Sequence, residues 1–162
     1  MFGGSDLIFN LINSIINICQ YRLSKNKAAI EKPALEFVLK SKNVIKLKEK
    51  YIYYFCVVVN NVSRINNSIS DISLLIHYRR GSKSFHMNFP YKNSSSDTDI
   101  GLSELPKHIE AGSSVKLNIA FEVAEQFKID NEIDYYELIF IDTYGNKKKI
   151  PVTIICEADT YE

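Results

Sequence analysis

Between residues 115 and 123, Val115, Leu117, Ile119, Phe121 and Val123 alternate with Lys116, Asn118 and Glu122. A period of two places the first set on one face of an extended strand and the second on the other. A strand with one apolar face must bury it against another layer, and a chain with many such strands and no helical pattern among them closes into a sandwich or barrel. The run at 115–123 is one of several. Others are expected at 34–40, 51–60, 71–78, 84–89, 135–141 and 148–156, separated by turn signals. Asn60-Asn61, Arg80-Gly81-Ser82 and Asp142-Thr143-Tyr144-Gly145-Asn146 are the clearest of these signals, with Gly145 free to take positive φ. Residues 51–60 are apolar on both faces, as a central strand requires. Residues 93–99 are polar and read as a loop. The expected fold is all-β: an antiparallel sandwich of seven or eight strands over residues 34–162.

The helical period appears only before that domain. Leu7, Ile8, Leu11, Ile12, Ile15, Ile16, Ile18 and Cys19 fall on one face of a helix, opposite Asn10, Asn13, Asn17 and Gln20. Residues 1–23 are therefore expected as an amphipathic helix and residues 24–33 as a polar linker leading to Pro33. Ser5 or Asp6 can cap the helix start, and Arg22, Lys25 and Lys27 suit its negative end. A secretory signal needs a basic start and a small-residue cleavage site, neither of which is legible here. A spanning helix needs about 20 apolar residues. Two uses remain open. The face can lie on a membrane surface, or it can pack on the β domain or on other copies, with Ile8, Leu11 or Ile12, Ile15, and Ile18 or Cys19 as a short seam.

The 162 residues carry a net charge of +1, which argues against a nucleic-acid partner held by bulk charge. The charge is unevenly placed. Residues 1–50 hold nine Lys and Arg against four Asp and Glu, and residues 100–162 hold six against twelve. A basic front suits an anionic surface, and Lys147, Lys148 and Lys149 beside the last turn offer a second such contact. The same lysines on an edge strand would also block unwanted pairing. Heavy use of Ile, Lys and Asn without Trp is the bias of an AT-rich coding sequence, as in many bacteria and phages. Cys19, Cys56 and Cys156 are an odd number at irregular spacing, neither a disulfide framework nor a zinc pattern. A reducing compartment is the simplest setting, so the expected location is cytoplasmic or peripheral at the membrane. A pairing of Cys56 with Cys156 is left open.

The stretch from Val57 through Asn61-Val62-Ser63 to Ile72 and Ile76 resembles small bacterial and phage immunoglobulin-like domains, in which a strand ends in Asn-x-Ser and the next returns after a short loop. Leu105-Pro106, the turn at 109–113 and the strand from Val115 are similar to the later half of such domains. The pair of runs around Asp142-Thr143-Tyr144-Gly145 is similar to their last hairpin. The resemblance covers most of residues 34–156. It implies an interaction module with no enzyme activity and no fixed ligand, and in some such chains a preceding hydrophobic helix tethers the domain to a membrane. The absence of Trp, and of Cys in the penultimate strand, separates the chain from antibody domains.

No catalytic motif is legible, and no cofactor is expected. His77, His86 and His108 are isolated in sequence, and a small hydrolase would require one of the last two beside a carboxylate or serine. Two acidic groups, Asp97, Asp99 and Glu104, and Asp130, Glu132 and Asp134, read as solvated loops with calcium as the functional alternative. A second class of function is a carbohydrate- or ligand-binding sandwich that uses the loop tyrosines Tyr91 and Tyr144, with or without calcium. The protein partner is not identified by sequence, and a homo-oligomer through the helix is one expectation.

Overall fold

The computed structural model describes residues 4–30, 32–92, 101–152 and 156–158, with side chains at 13–27, 32–92 and 101–152. An N-terminal helix, α1 (Gly4–Ile30), precedes the strands β1 (Leu35–Leu47), β2 (Lys50–Asn61), β3 (Asn67–Arg80), β4 (Lys83–Pro90), β5 (Lys107–Ile109) and β6 (Ser114–Ala124). A short helix α2 (Glu125–Asp130) then leads to β7 (Glu132–Asp142), β8 (Lys147–Val152) and β9 (Cys156–Ala158). Two sheets result. One has the order β6-β2-β1-β9, the other β4-β3-β7-β8 with β5 also on β3. The pairings are antiparallel apart from β1 with β9.

The core lies between the sheets. Tyr53, Phe55, Val57 and Val59 of β2 and Leu117, Ile119, Phe121 and Val123 of β6 are buried against Ile72, Leu74 and Ile76 of β3 and Leu138 and Phe140 of β7. Phe37 of β1 packs on Phe140 at 4.6 Å between ring centres, and the Tyr53 and Tyr136 hydroxyls meet at 3.2 Å. The alternation read at 115–123 is thus the inward face of β6.

Two polar networks brace the end of the sandwich where β2 crosses to β3. Asn61, buried at the end of β2, donates from Nδ2 to the Ile65 and Ile109 carbonyls at 2.8 and 3.1 Å. Its Oδ1 accepts from the Ser63 backbone N–H at 3.1 Å and hydroxyl at 2.6 Å. The Asn-x-Ser motif is therefore an Asx-type turn. At the other network Asp142 holds the β7–β8 turn. Oδ1 accepts from the Tyr144 and Asn146 N–H groups at 3.0 and 2.8 Å, and Oδ2 accepts from the Asn67 and Asn146 side-chain amides, both at 2.9 Å. Gly145, at φ 79°, takes the left-handed position in that turn.

Three expectations are corrected. The segment 24–33 is not a linker as a whole, because α1 continues to Ile30. Lys25, Lys27, Ala28 and Ala29 are good helix formers, and Pro33 lies beyond them. The strand at 34–40 runs on to Leu47. The single strand expected at 148–156 is two: β8 ends at Val152, and Cys156 belongs to β9 in the other sheet. The three-residue β5 and the helix α2 were not legible. The polar run 93–99, with Asp97 and Asp99, lies outside the described residues.

Burial pushes the Asp142 carboxyl up, but the hydrogen bonds from Asn146, Asn67 and Tyr144 outweigh it and hold it below the ordinary carboxylate range. A depressed folded pKa means stability present above the unfolded value, about 3.9, and lost as pH falls through the lower folded value. Asp142→Asn is expected to cost about 2–3 kcal/mol at pH 7. In urea titrations the gap from the parent protein should narrow below about pH 4; an unchanged gap at pH 2.5 would contradict this role.

Candidate interaction surfaces

Every described side chain of α1, from Asn13 to Lys27, is exposed. Ile15, Ile16 and Ile18 are 53, 46 and 55% accessible, and Tyr21 and Leu23 more so. The side chains of Leu7, Ile8, Leu11 and Ile12 lie outside the described residues. Packing of the α1 face on the β domain is thus ruled out at Ile15, Ile16, Ile18 and Cys19. Uncovered isoleucines at three helical positions are unusual, because burial of each is worth about 1.5–3 kcal/mol. Arg22, Lys25 and Lys27 are also exposed, with Lys27 in the last turn, where the helix dipole favours a cation. Among the described residues no helix is long and apolar enough to cross a membrane.

Lys147, Lys148 and Lys149 lie exposed on β8, an edge strand. Lys149 donates to Glu137 Oε2 at 3.2 Å, and His77 Nε2 meets the same oxygen at 3.0 Å. The His77 ring stacks on Tyr135 at 4.0 Å, with His86 at 6.0 Å on the neighbouring strand. Burial pushes the Glu137 carboxyl up, while the His77 and Lys149 contacts outweigh it and hold it below its ordinary value. This cluster joins β3, β4, β7 and β8 on the outer face of their sheet. The period of two in β3 already placed His77 opposite to Ile72, Leu74 and Ile76. Its register with Tyr135 and Glu137 could not be read without strand order.

The two loop tyrosines separate. Tyr91 is buried, donates to the Ser103 carbonyl at 2.6 Å and meets Phe121 edge-on at 6.0 Å. It is a core residue and not part of a ligand face, and burial holds its phenol above the usual range. Tyr144 is 54% accessible and donates to the Asn66 carbonyl at 3.1 Å. No pair of binding tyrosines is formed. Glu132 and Asp134 of the second acidic group hold Arg79 at 2.9 and 2.8 Å, and Asp130 accepts from Gln126. His108 contacts Ser68 at 3.2 Å on the exposed surface. His86 pairs with His77 in the β3–β4 register and His108 with Ser68, nine residues apart on β3, or roughly 30 Å along the strand. Cys56 is a buried free thiol and Cys19 an exposed one.

No family model matches the chain. No curated protein matches it either. Among solved structures it is similar to a protein of Archaeoglobus fulgidus, at 8% identity and TM-score 0.40 over 76% of this chain and 100% of that one. A Bordetella pertussis protein provisionally assigned as ApaA aligns at 8% identity and TM-score 0.38, over 76% and 91%. A protein provisionally assigned as late embryogenesis abundant aligns at 13% identity and TM-score 0.33, over 91% and 87%.

The different settings of the two tyrosines give a direct comparison. Tyr91→Ala should destabilise the domain by about 3 kcal/mol or more, as for other buried aromatic truncations. Tyr144→Ala should cost about 1 kcal/mol, the worth of its one hydrogen bond. Equal losses in chemical denaturation would contradict the assignment of Tyr91 to the core.

Proposed function

We propose that the protein is a non-enzymatic interaction module: an immunoglobulin-like domain carried by a helix that lies on an anionic membrane surface. The observation that carries this reading is the exposed apolar face of α1, with Ile15, Ile16 and Ile18 open and Arg22, Lys25 and Lys27 following them. Apolar residues occur in consecutive groups at 7–9, 11–12, 15–16 and 18–19. A two-stranded seam takes one residue at each a and d position, whereas a planar interface accepts a wider arc. Asp6 is the only acidic residue of α1, so the helix carries net positive charge toward anionic headgroups.

The strand order supports the immunoglobulin-like part of the reading. With β1, β2 and β6 as strands A, B and E, and β3, β4, β7 and β8 as C, C′, F and G, the sheets run E-B-A, with β9 beyond A, and C′-C-F-G, with β5 also on C. Such sandwiches likewise set A, B and E in one sheet and C, F and G in the other. The domain is then the cargo, and the cytoplasmic face, where anionic lipid is concentrated, is the site of action.

The chain has no Trp, so Ile16→Trp is a silent-background probe. Its emission should shift to the blue on vesicles containing phosphatidylserine, less on neutral vesicles, and less again at high salt. No shift, together with a full-length chain that sizes as a whole-number multiple of the monomer, would replace the membrane by self-association as the use of the helix.

A further inference from the structure

The four sheet edges are not equally protected. A strand edge presents unpaired N–H and C=O groups, and proteins block it with charge, proline, shortness or a covering loop. On β6 the Ser103 N–H donates to the Asn118 carbonyl at 2.9 Å, and the Asn118 N–H returns to the Ser103 hydroxyl at 3.0 Å, so a loop covers that edge. β8 carries Lys147, Lys148, Lys149 and Pro151 in six residues, and β9 is three residues long. Among the described residues, β4 has none of these in its middle. Ser84, Phe85, His86, Met87, Asn88 and Phe89 include no charged residue and no proline.

The backbone groups of β4 that face outward are identifiable. Gly81, at φ 63°, and Ser82 make a two-residue turn between the paired Arg80 and Lys83, the type with glycine first. The pair flanking such a turn is hydrogen-bonded, and bonded and non-bonded pairs then alternate. The Tyr91 N–H to Ile72 carbonyl bond at 2.9 Å keeps the same parity beyond the strand. Lys83, Phe85, Met87 and Phe89 therefore bond to β3, while Ser84, His86 and Asn88 turn their N–H and C=O groups to the open edge. Pro90, without an N–H, stands where the next outward donor would be. On the inward face α2 covers part of this end: Phe127 meets Tyr78 and Phe89 edge-on. Phe85 and Met87 are left 43 and 41% accessible.

We infer that β4 is a docking edge for β4 of a second copy, paired antiparallel about a two-fold axis at His86. The segment is self-complementary about that residue: Ser84 would face Asn88, Phe85 would face Met87, and His86 its own mate. Every outward donor and acceptor of Ser84, His86 and Asn88 then finds a partner, whereas an axis at Met87 sets Ser84 opposite Pro90 and loses a donor. The absence of charge between residues 84 and 89 removes the like-charge repulsion that keeps edges apart, and the exposed Phe85 and Met87 gain cover from the same residues of the mate. A two-fold contact of this kind is closed and yields a dimer, not a filament. The inference is independent of the membrane reading, since it uses no residue of α1.

Single cysteines read the register directly. In the full chain with Cys19→Ser, His86→Cys places two thiols on the axis, with Cα atoms about 5.5 Å apart, within disulfide range. Ser84→Cys places them four residues apart, about 14 Å, outside it. Both positions are exposed, so both variants should fold. Under mild oxidation His86→Cys should form covalent dimer at least ten-fold faster than Ser84→Cys, and adding the edge-guarding Met87→Lys should abolish it. No dimer from His86→Cys, or equal rates for the two variants, would overturn the proposal.

Discussion

The side chain of Asn61 stands where the chain leaves one sheet for the other, and the sandwich depends on that crossing. β2 and β3 are interior strands of their sheets, each flanked on both sides. A misplaced crossing by one residue would turn every side chain of β3 to the wrong face. The amide meets this constraint with four hydrogen bonds: two to carbonyls of β5 and the connecting loop, two from Ser63. A buried backbone turn would otherwise leave carbonyls unpaired, at a cost of about 1–3 kcal/mol each. Asp142 does the equivalent work at the same end, where Asn67, the first residue of β3, donates to it. The two residues tie β2, β3, β5 and β7 together before any apolar contact is counted.

That frame explains which parts of the fold were legible in the sequence. The inward face of β6 follows from a period of two and needs no partner to be recognised. The β7–β8 turn follows from Asp142 and Gly145, because its bonds are local. Strand order depends on contacts across the core, such as Phe37 with Phe140, which no local pattern encodes. The end of α1 was obscured by chemistry: Ser24, Lys25, Asn26 and Lys27 are polar, like a linker, yet none of them breaks a helix. Their exposure costs nothing because the helix has no buried side to maintain there.

The candidate surfaces were legible in the same uneven way. The apolar face of α1 and its basic flank could be read from spacing alone. Tyr91 could not be placed, since its position beside Pro90 reads as a loop while its ring turns into the core against Phe121. His77, Glu137 and Lys149 lie far apart in sequence, and their meeting at a shared carboxylate oxygen is a product of register. The contrast between β4 and β8 was half visible. The lysines of β8 suggested an edge strand, but an unguarded edge is recognised only when the strand is known to be terminal.

The proposed division of labour is that the sandwich folds without α1 and α1 keeps its apolar face for a partner. Thermal unfolding of the full chain and of a chain beginning at Lys32 tests that division most directly. One kcal/mol of lost stability lowers the midpoint by about 2–8 °C in domains of this size range. The two proteins are predicted to melt within about 2 °C of each other, since no described side chain of α1 is buried. A truncated chain that melts roughly 8 °C lower, or fails to fold, would mean that α1 belongs to the core and is not free for a membrane.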